Sequence, residues 1–215
     1  MGGFGERRKL LELLVELVGR PRPLVCVLPT ASGDHADHIE PLERVYGDMD
    51  CELEIVTLFG KPVEPAARVA RADAVVVSGG NTANMLAIWR VHGVDRALRE
   101  AWERGAVLGG ASAGANCWFA ASVTDSFGPQ LAPLHDGLGL LAGSFCPHYD
   151  ADELRRPVFT ALVRDGFPAG YAADDDCGLV FEGAELSEVV AQRAEARAYR
   201  VTATGEEPLE ARLLA

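Results

Sequence analysis

The alternation of short apolar runs with helical stretches is the feature that most constrains this chain. Residues 24–28, 53–58, 74–78 and 106–109 read as strands, and the first and third are apolar almost throughout. A strand without a polar face must be covered on both sides. Between the runs the spacing becomes helical. Leu10, Leu13, Leu14 and Leu17 share one helix face, which Gly19, Pro21 and Pro23 terminate. Residues 34–46 read as a helix interrupted or kinked at Pro41, 65–72 as a short helix, and 82–91 and 94–104 as two helices divided at Gly93. Strands alternating with helices imply right-handed crossovers and a mainly parallel sheet.

The last third differs in pattern. Strand-like runs at 143–146, 178–181, 188–190 and 198–201 surround one helix at 151–163, which suggests extra, antiparallel strands on the same sheet. No stretch rich in Pro, Gly or Ser marks a linker, so a single α/β domain over residues 1–215 is expected.

The strongest local signal is Gly110-Ala111-Ser112-Ala113-Gly114, a G-x-S-x-G elbow placed where a strand gives way to a helix. The turn is so tight that its flanking positions must be small, and its strain holds the serine hydroxyl out at the strand's carboxyl end. The following helix would bring N–H groups and a positive dipole end toward a developing oxyanion. The plain alternative is a small-residue turn in which Ser112 only caps a helix. A second loop, Ser78-Gly79-Gly80-Asn81-Thr82, ends the preceding strand, and such loops of a parallel sheet line one crevice. The N–H groups of Gly80 and Ala113 are the candidate oxyanion donors, with Asn81 and Thr82 the candidate polar contacts to substrate. The loop lacks both the GxGxxG pattern and a P-loop lysine, which weakens a phosphate-binding reading.

A serine nucleophile needs a base. His148 follows a strand-like run and is set by Pro147, so it is the best candidate of five histidines. His92 precedes Gly93 at a helix end and reads as a capping residue, and His135 lies in a loop without mechanistic context. For the acid that orients the imidazole, Asp125 and Asp150 are not separated by spacing, and the run Asp174-Asp175-Asp176 could also reach. Asp34, His35, Asp37 and His38 form a possible ligand cluster at a helix start, but nothing else in the chain completes a metal site.

Lys and Arg number 20 against 32 Asp and Glu, a formal charge of −12, which counts against nucleic acid. No apolar run approaches the roughly 20 residues of a membrane span, and the sequence start lacks a signal-peptide pattern, so a cytoplasmic protein is expected. The five cysteines are odd in number, scattered and without a CxxC pair, which fits reduced, buried thiols.

Together Pro29-Thr-Ala-Ser32, Gly79-Gly-Asn-Thr82, Gly110-Ala-Ser-Ala-Gly-Ala-Asn116 and Cys146-Pro-His-Tyr149 give the chain its resemblance to the peptidase E family. These are serine aspartyl dipeptidases of peptidase family S51, grouped with the cyanophycinases. The resemblance runs over about residues 24–181. It implies a three-layer α/β/α fold with a mainly parallel central sheet, like that of class I glutamine amidotransferases (flavodoxin-like), with extra strands in the C-terminal third. It puts the catalytic serine on Ser112, the histidine on His148 and the acid on Asp125, in a segment two residues shorter than in the best-known members. The His-x-acid spacing of the amidotransferases falls instead on His148 and Asp150. It further implies hydrolysis of short peptides with an N-terminal aspartate, with no metal or cofactor, by a monomer or homodimer.

Rival readings are weaker on chemistry or spacing. A glutaminase needs cysteine at the elbow, whereas Cys117 lies beyond it. An α/β-hydrolase esterase would place several strands and helices between serine and histidine, which the interval from Ser112 to His148 cannot hold. A cyanophycinase-like hydrolase of β-aspartyl-arginine peptides is the nearest alternative, and a binding protein that kept the elbow for structure is the non-enzymatic one.

Overall fold

Val25, Val27 and Leu28 of the first apolar run and Val75, Val76 and Val77 of the third are wholly buried, as strands without a polar face require. They belong to β1 (Leu24–Leu28) and β3 (Ala74–Val77). With β2 (Glu52–Ile55) and β4 (Val107–Gly110) these form a four-stranded, all-parallel sheet in the order β2-β1-β3-β4. The computed structural model describes residues 8–215. They fall into two compact units, Leu11–Gly114 and Ala115–Ala215, the latter joined by the first described residues.

In the first unit the expected elements are all present. The helices are α1 (Lys9–Glu16), α2 (Ala36–Gly47), α3 (Pro65–Ala70), α4 (Thr82–His92) and α5 (Val94–Glu103). α2 keeps Pro41 inside it, and Gly93 divides α4 from α5 in a left-handed conformation, its N–H donating to the Trp89 carbonyl. β2 is shorter than its apolar run suggested. After Val56, whose N–H still donates to the Val27 carbonyl of β1, the chain leaves the sheet, and the N–H groups of Leu58 and Phe59 donate to the Asp34 carboxylate. Asp34, one of the candidate metal ligands, therefore has a structural task. Trp89 is fully buried and donates its indole N–H to Thr30 Oγ1 at 3.1 Å, tying α4 to the turn after β1.

The second unit is also α/β, but with mixed strand directions. α6 (Ala113–Asn116) leads into β5 (Phe119–Thr124), which pairs antiparallel with β6 (Ala132–Leu134) and parallel with β7 (Leu141–Cys146). β7 pairs parallel with β8 (Gly170–Ala173), and β11 (Ala198–Thr202) and β12 (Gly205–Leu209) continue the same sheet antiparallel. A separate three-stranded sheet holds β9 (Cys177–Glu182), β10 (Glu185–Ala191) and β13 (Arg212–Leu213). α7 (Arg155–Arg164) packs Phe159 and Val163 onto Val123, Cys146, Tyr149, Ala172 and Val201.

Three expectations need correction here. The late strands pair among themselves in two further sheets and not with the all-parallel one. The helix expected from residue 151 starts at Arg155, because Asp152 accepts the Leu154 N–H and holds the preceding residues in a turn. The helix after the elbow is a single four-residue turn, since the chain enters β5 almost at once. So short a helix sums few peptide dipoles, and its individual N–H groups matter more than its macrodipole.

Candidate active site

At the end of β4 the chain turns through Ser112, whose φ is 55°, a left-handed conformation that costs a non-glycine residue energy. The flanking glycines allow it. A Cβ on Gly110 would lie 2.4 Å from the Gly114 carbonyl oxygen, and one on Gly114 would lie 2.3 Å from that of Val77. No other residue fits at either position. This is the strand-to-helix elbow in which a serine hydroxyl is held out of regular structure.

The Gly79-Gly80 loop at the end of β3 borders the same serine. A Cβ on Gly79 would come within 3.4 Å of Ser112 Cβ and 4.0 Å of its Oγ. Gly80 has φ +137°, and a Cβ there would lie 2.1 Å from the Ala31 carbonyl oxygen, which also accepts the Asn81 N–H at 2.8 Å. The loop is thereby pressed against the turn after β1. Ala113 is the first residue of α6, and the next N–H, that of Gly114, donates to the Ala111 carbonyl at 2.9 Å, which fixes the turn around Ser112.

Asn81 and Thr82 do other work than expected. Asn81 caps α4, its side-chain oxygen accepting the Asn84 N–H at 2.8 Å. Thr82 is only 1% exposed and belongs to the core. Besides any contact to substrate, Asn81 thus has a capping role and Thr82 a packing role.

His148 also has a left-handed φ of 55°, just past β7. Its Nδ1 lies 2.7 Å from Oδ1 of Asp175, which follows β8, the strand parallel to β7. The hydrogen bond from His148 holds the Asp175 carboxyl below the usual carboxylate range, outweighing its partial burial. Asp175 is therefore a carboxylate at neutral pH. It is tied on both sides of its backbone, by Asp150 Oδ1 accepting its N–H at 2.8 Å and by Arg193 donating to its carbonyl at 3.3 Å.

Asp125, on which the resemblance puts the acid, has its ion pair elsewhere than at His148. Asp125 sits beyond β5 with its side chain 61% exposed, and its ion-pair partner is Arg155 at 3.8 Å. Arg155, almost wholly buried, also pairs with Asp152 at 3.3 Å and donates to the Val123 carbonyl. That buried cation draws Asp125 to itself. Asp150, the spacing-based alternative, accepts from Asp175 and pairs with Arg193 at 2.6 Å. Of the three acids in a row, the middle one, Asp175, carries the hydrogen bond with His148. Its neighbours are occupied elsewhere, Asp174 with the Arg197 N–H and Asp176 with Gln192.

Other nucleophiles are poorly suited. Burial pushes the thiols of Cys26, Cys146 and Cys177 up to about 12, and that of Cys117, just past the elbow, well above its ordinary value. All four are thiols, not thiolates, at neutral pH.

The chain belongs to peptidase family S51, whose sequence model matches residues 1–189, and it is accordingly a peptidase. It is 42% identical over 205 residues to the uncharacterized peptidase YgaJ of Bacillus subtilis, a match covering 93% of this chain and 88% of that one. It is also 32% identical over 123 residues to a peptidase E of Streptomyces coelicolor, covering 57% of this chain and 49% of the relative. Among solved structures, a peptidase from an acI-B1 actinobacterium superposes with a TM-score of 0.73 at 18% identity, covering 98% of this chain and 92% of that one. At that identity the likeness speaks for the fold.

Proposed function

We propose that this peptidase is of the serine type and hydrolyses short peptides with an N-terminal aspartate through an acyl-enzyme. The observation that carries the serine assignment is Ser112 at φ 55° in an elbow whose flanking positions admit only glycine. Strain of this kind persists where the surrounding structure over-determines it, which active sites do for a reacting group. The aspartyl preference rests on the peptidase E family resemblance and on the relative named peptidase E.

In this mechanism Ser112 Oγ attacks the carbonyl carbon of the N-terminal residue while His148 Nε2 takes the hydroxyl proton. Asp175 accepts the His148 Nδ1–H, which fixes the tautomer and stabilises the imidazolium formed. The backbone N–H groups of Gly80 and Ala113 donate to the oxyanion. The imidazolium then protonates the leaving amine, the C–N bond breaks and an ester to Ser112 remains. Water, deprotonated by the same imidazole, attacks the ester carbonyl; the bond to Ser112 Oγ breaks, the imidazolium returns its proton to that oxygen, and the N-terminal residue leaves as the free acid. Each step moves one proton between named atoms.

The test is a panel of Asp-Xaa, Glu-Xaa, Asn-Xaa and β-aspartyl dipeptides, assayed with the wild type and Ser112→Ala. The proposal expects Asp-Xaa peptides to be cleaved best and the variant to lose nearly all activity while remaining folded. Efficient cleavage of the others with Asp-Xaa untouched would refute the specificity. Retained activity in Ser112→Ala would refute the nucleophile.

A further inference from the structure

We infer that Asp150 and Arg193 form a positioning clamp that holds Asp175 at the distance His148 needs. The inference rests on the proposed roles of His148 and Asp175 and assigns a new role to two residues outside them. Asp150 follows His148 by two positions, so one short segment reaches Asp175 twice: His148 meets its carboxylate at 2.7 Å and Asp150 accepts its backbone N–H at 2.8 Å. Arg193, in the loop between β10 and β11, closes the arrangement. Its guanidinium donates to Asp150 Oδ2 at 2.6 Å and to the Asp175 carbonyl at 3.3 Å, and its Nε lies 3.5 Å from Asp176 Oδ2.

A planar guanidinium can hold two or three acceptors in fixed directions, which an ammonium cannot. This matters because three adjacent carboxylates repel one another, and Asp176 has a left-handed φ of 66°. The titratable and cationic groups around the Asp175 carboxylate are His148, Arg193 and Arg155, with the acids Asp150, Asp174 and Asp176 beside it. Arg193 is the cation that the Asp150 carboxylate pairs with among the described residues, so its loss would give the loop bearing Asp175 a way to swing from His148. A displacement of about 1 Å in a catalytic constellation costs on the order of 100-fold in rate.

The experiment compares Arg193→Ala, Arg193→Lys and Asp150→Asn with Asp175→Asn in the full chain. It measures kcat and KM on an Asp-Xaa dipeptide, the downfield proton resonance of the His148 Nδ1–H in histidine-labelled protein, and the thermal midpoint. Arg193→Ala should lower kcat by about 10- to 100-fold with KM within about 2-fold, and should broaden or abolish the resonance. Arg193→Lys should rescue only part of the loss. Asp150→Asn keeps an oxygen for the Asp175 N–H, so it should fold and lose less than Arg193→Ala. A rise in KM alone would make these residues substrate contacts, and an unchanged kcat and resonance would remove the clamp; either overturns the inference. If those variants are silent but Asp175→Asn cripples kcat, the clamp fails while the catalytic reading stands. If Asp175→Asn is itself silent, both fall.

Discussion

Replacing Asp175 by Asn keeps the size of the side chain and removes its charge, so it isolates what the carboxylate does for His148. Nδ1 and Oδ1 lie 2.7 Å apart, and a carboxylate that accepts the Nδ1–H selects the tautomer whose Nε2 is the basic nitrogen. An amide can instead turn an N–H toward Nδ1, which favours the tautomer whose Nε2 already carries a proton and cannot serve as base. In the well-studied serine protease, where the acid is buried, this substitution costs about 10⁴ in kcat. Here the two side chains are 27% and 33% exposed, so water competes for both, and the expected loss is smaller, about 10²- to 10³-fold. KM should stay within about 2-fold, because the lost interaction acts on the transition state. Initial rates on an Asp-Xaa dipeptide give both constants, with Asp125→Asn as the control. Asp125 is 61% exposed and 3.8 Å from its cation, so its replacement should change kcat by less than about 2-fold. A larger kcat loss from Asp125→Asn than from Asp175→Asn would refute the assignment.

Other perturbations test the frame around the site. Gly80→Ala drives a Cβ to 2.1 Å from the Ala31 carbonyl at φ +137°, and should lower unfolding stability by about 2–4 kcal/mol, measured by denaturant titration; an unchanged midpoint would contradict the close approach. Trp89→Phe removes the indole N–H that meets Thr30 and should cost about 1–3 kcal/mol in the same assay. Asp174 is pushed up to about 6, chiefly by burial, so folding takes up a proton between the ordinary value of 3.8 and about 6. The native state binds the extra proton in that window, so this group's contribution to stability falls as pH rises through it. Asp174→Asn retains an oxygen for the Arg197 N–H and should flatten that dependence, gaining relative to the wild type above about pH 6 in thermal melts at a series of pH values; parallel curves would refute it.

The half of the chain before the elbow was largely legible because its cues are local. Val25–Leu28 and Val75–Val77 carry no polar face, Gly93 separates two helical patterns, and Gly110 and Gly114 bracket Ser112 at the spacing an elbow needs. The later half was less so. β8 is Gly-Tyr-Ala-Ala, too short and too small in its side chains to look like a strand; its first glycine is there because a Cβ would meet the Ser144 carbonyl oxygen at 1.9 Å. Missing that strand hid the reason Asp175 reaches His148, namely that β7 and β8 are parallel neighbours delivering their ends to one side. Asp125 attracted the role through its place in the family pattern, and no local signal announced that Arg155 is buried beside it. Thr82 looked polar and available, yet packing of α4 takes it into the core.

The central claim is that Ser112 forms a covalent intermediate, and labelling tests it most directly. Protein treated with a fluorophosphonate, digested and mapped by mass spectrometry should carry the adduct on the peptide spanning Ser112, with peptidase activity lost in proportion to labelling. Excess Asp-Xaa dipeptide should slow the reaction, and both Ser112→Ala and His148→Ala should abolish it, since a nucleophile without its base is as inert as a base without its nucleophile. Full peptidase activity in protein that resists the reagent, or an adduct on any residue other than Ser112, would contradict the account.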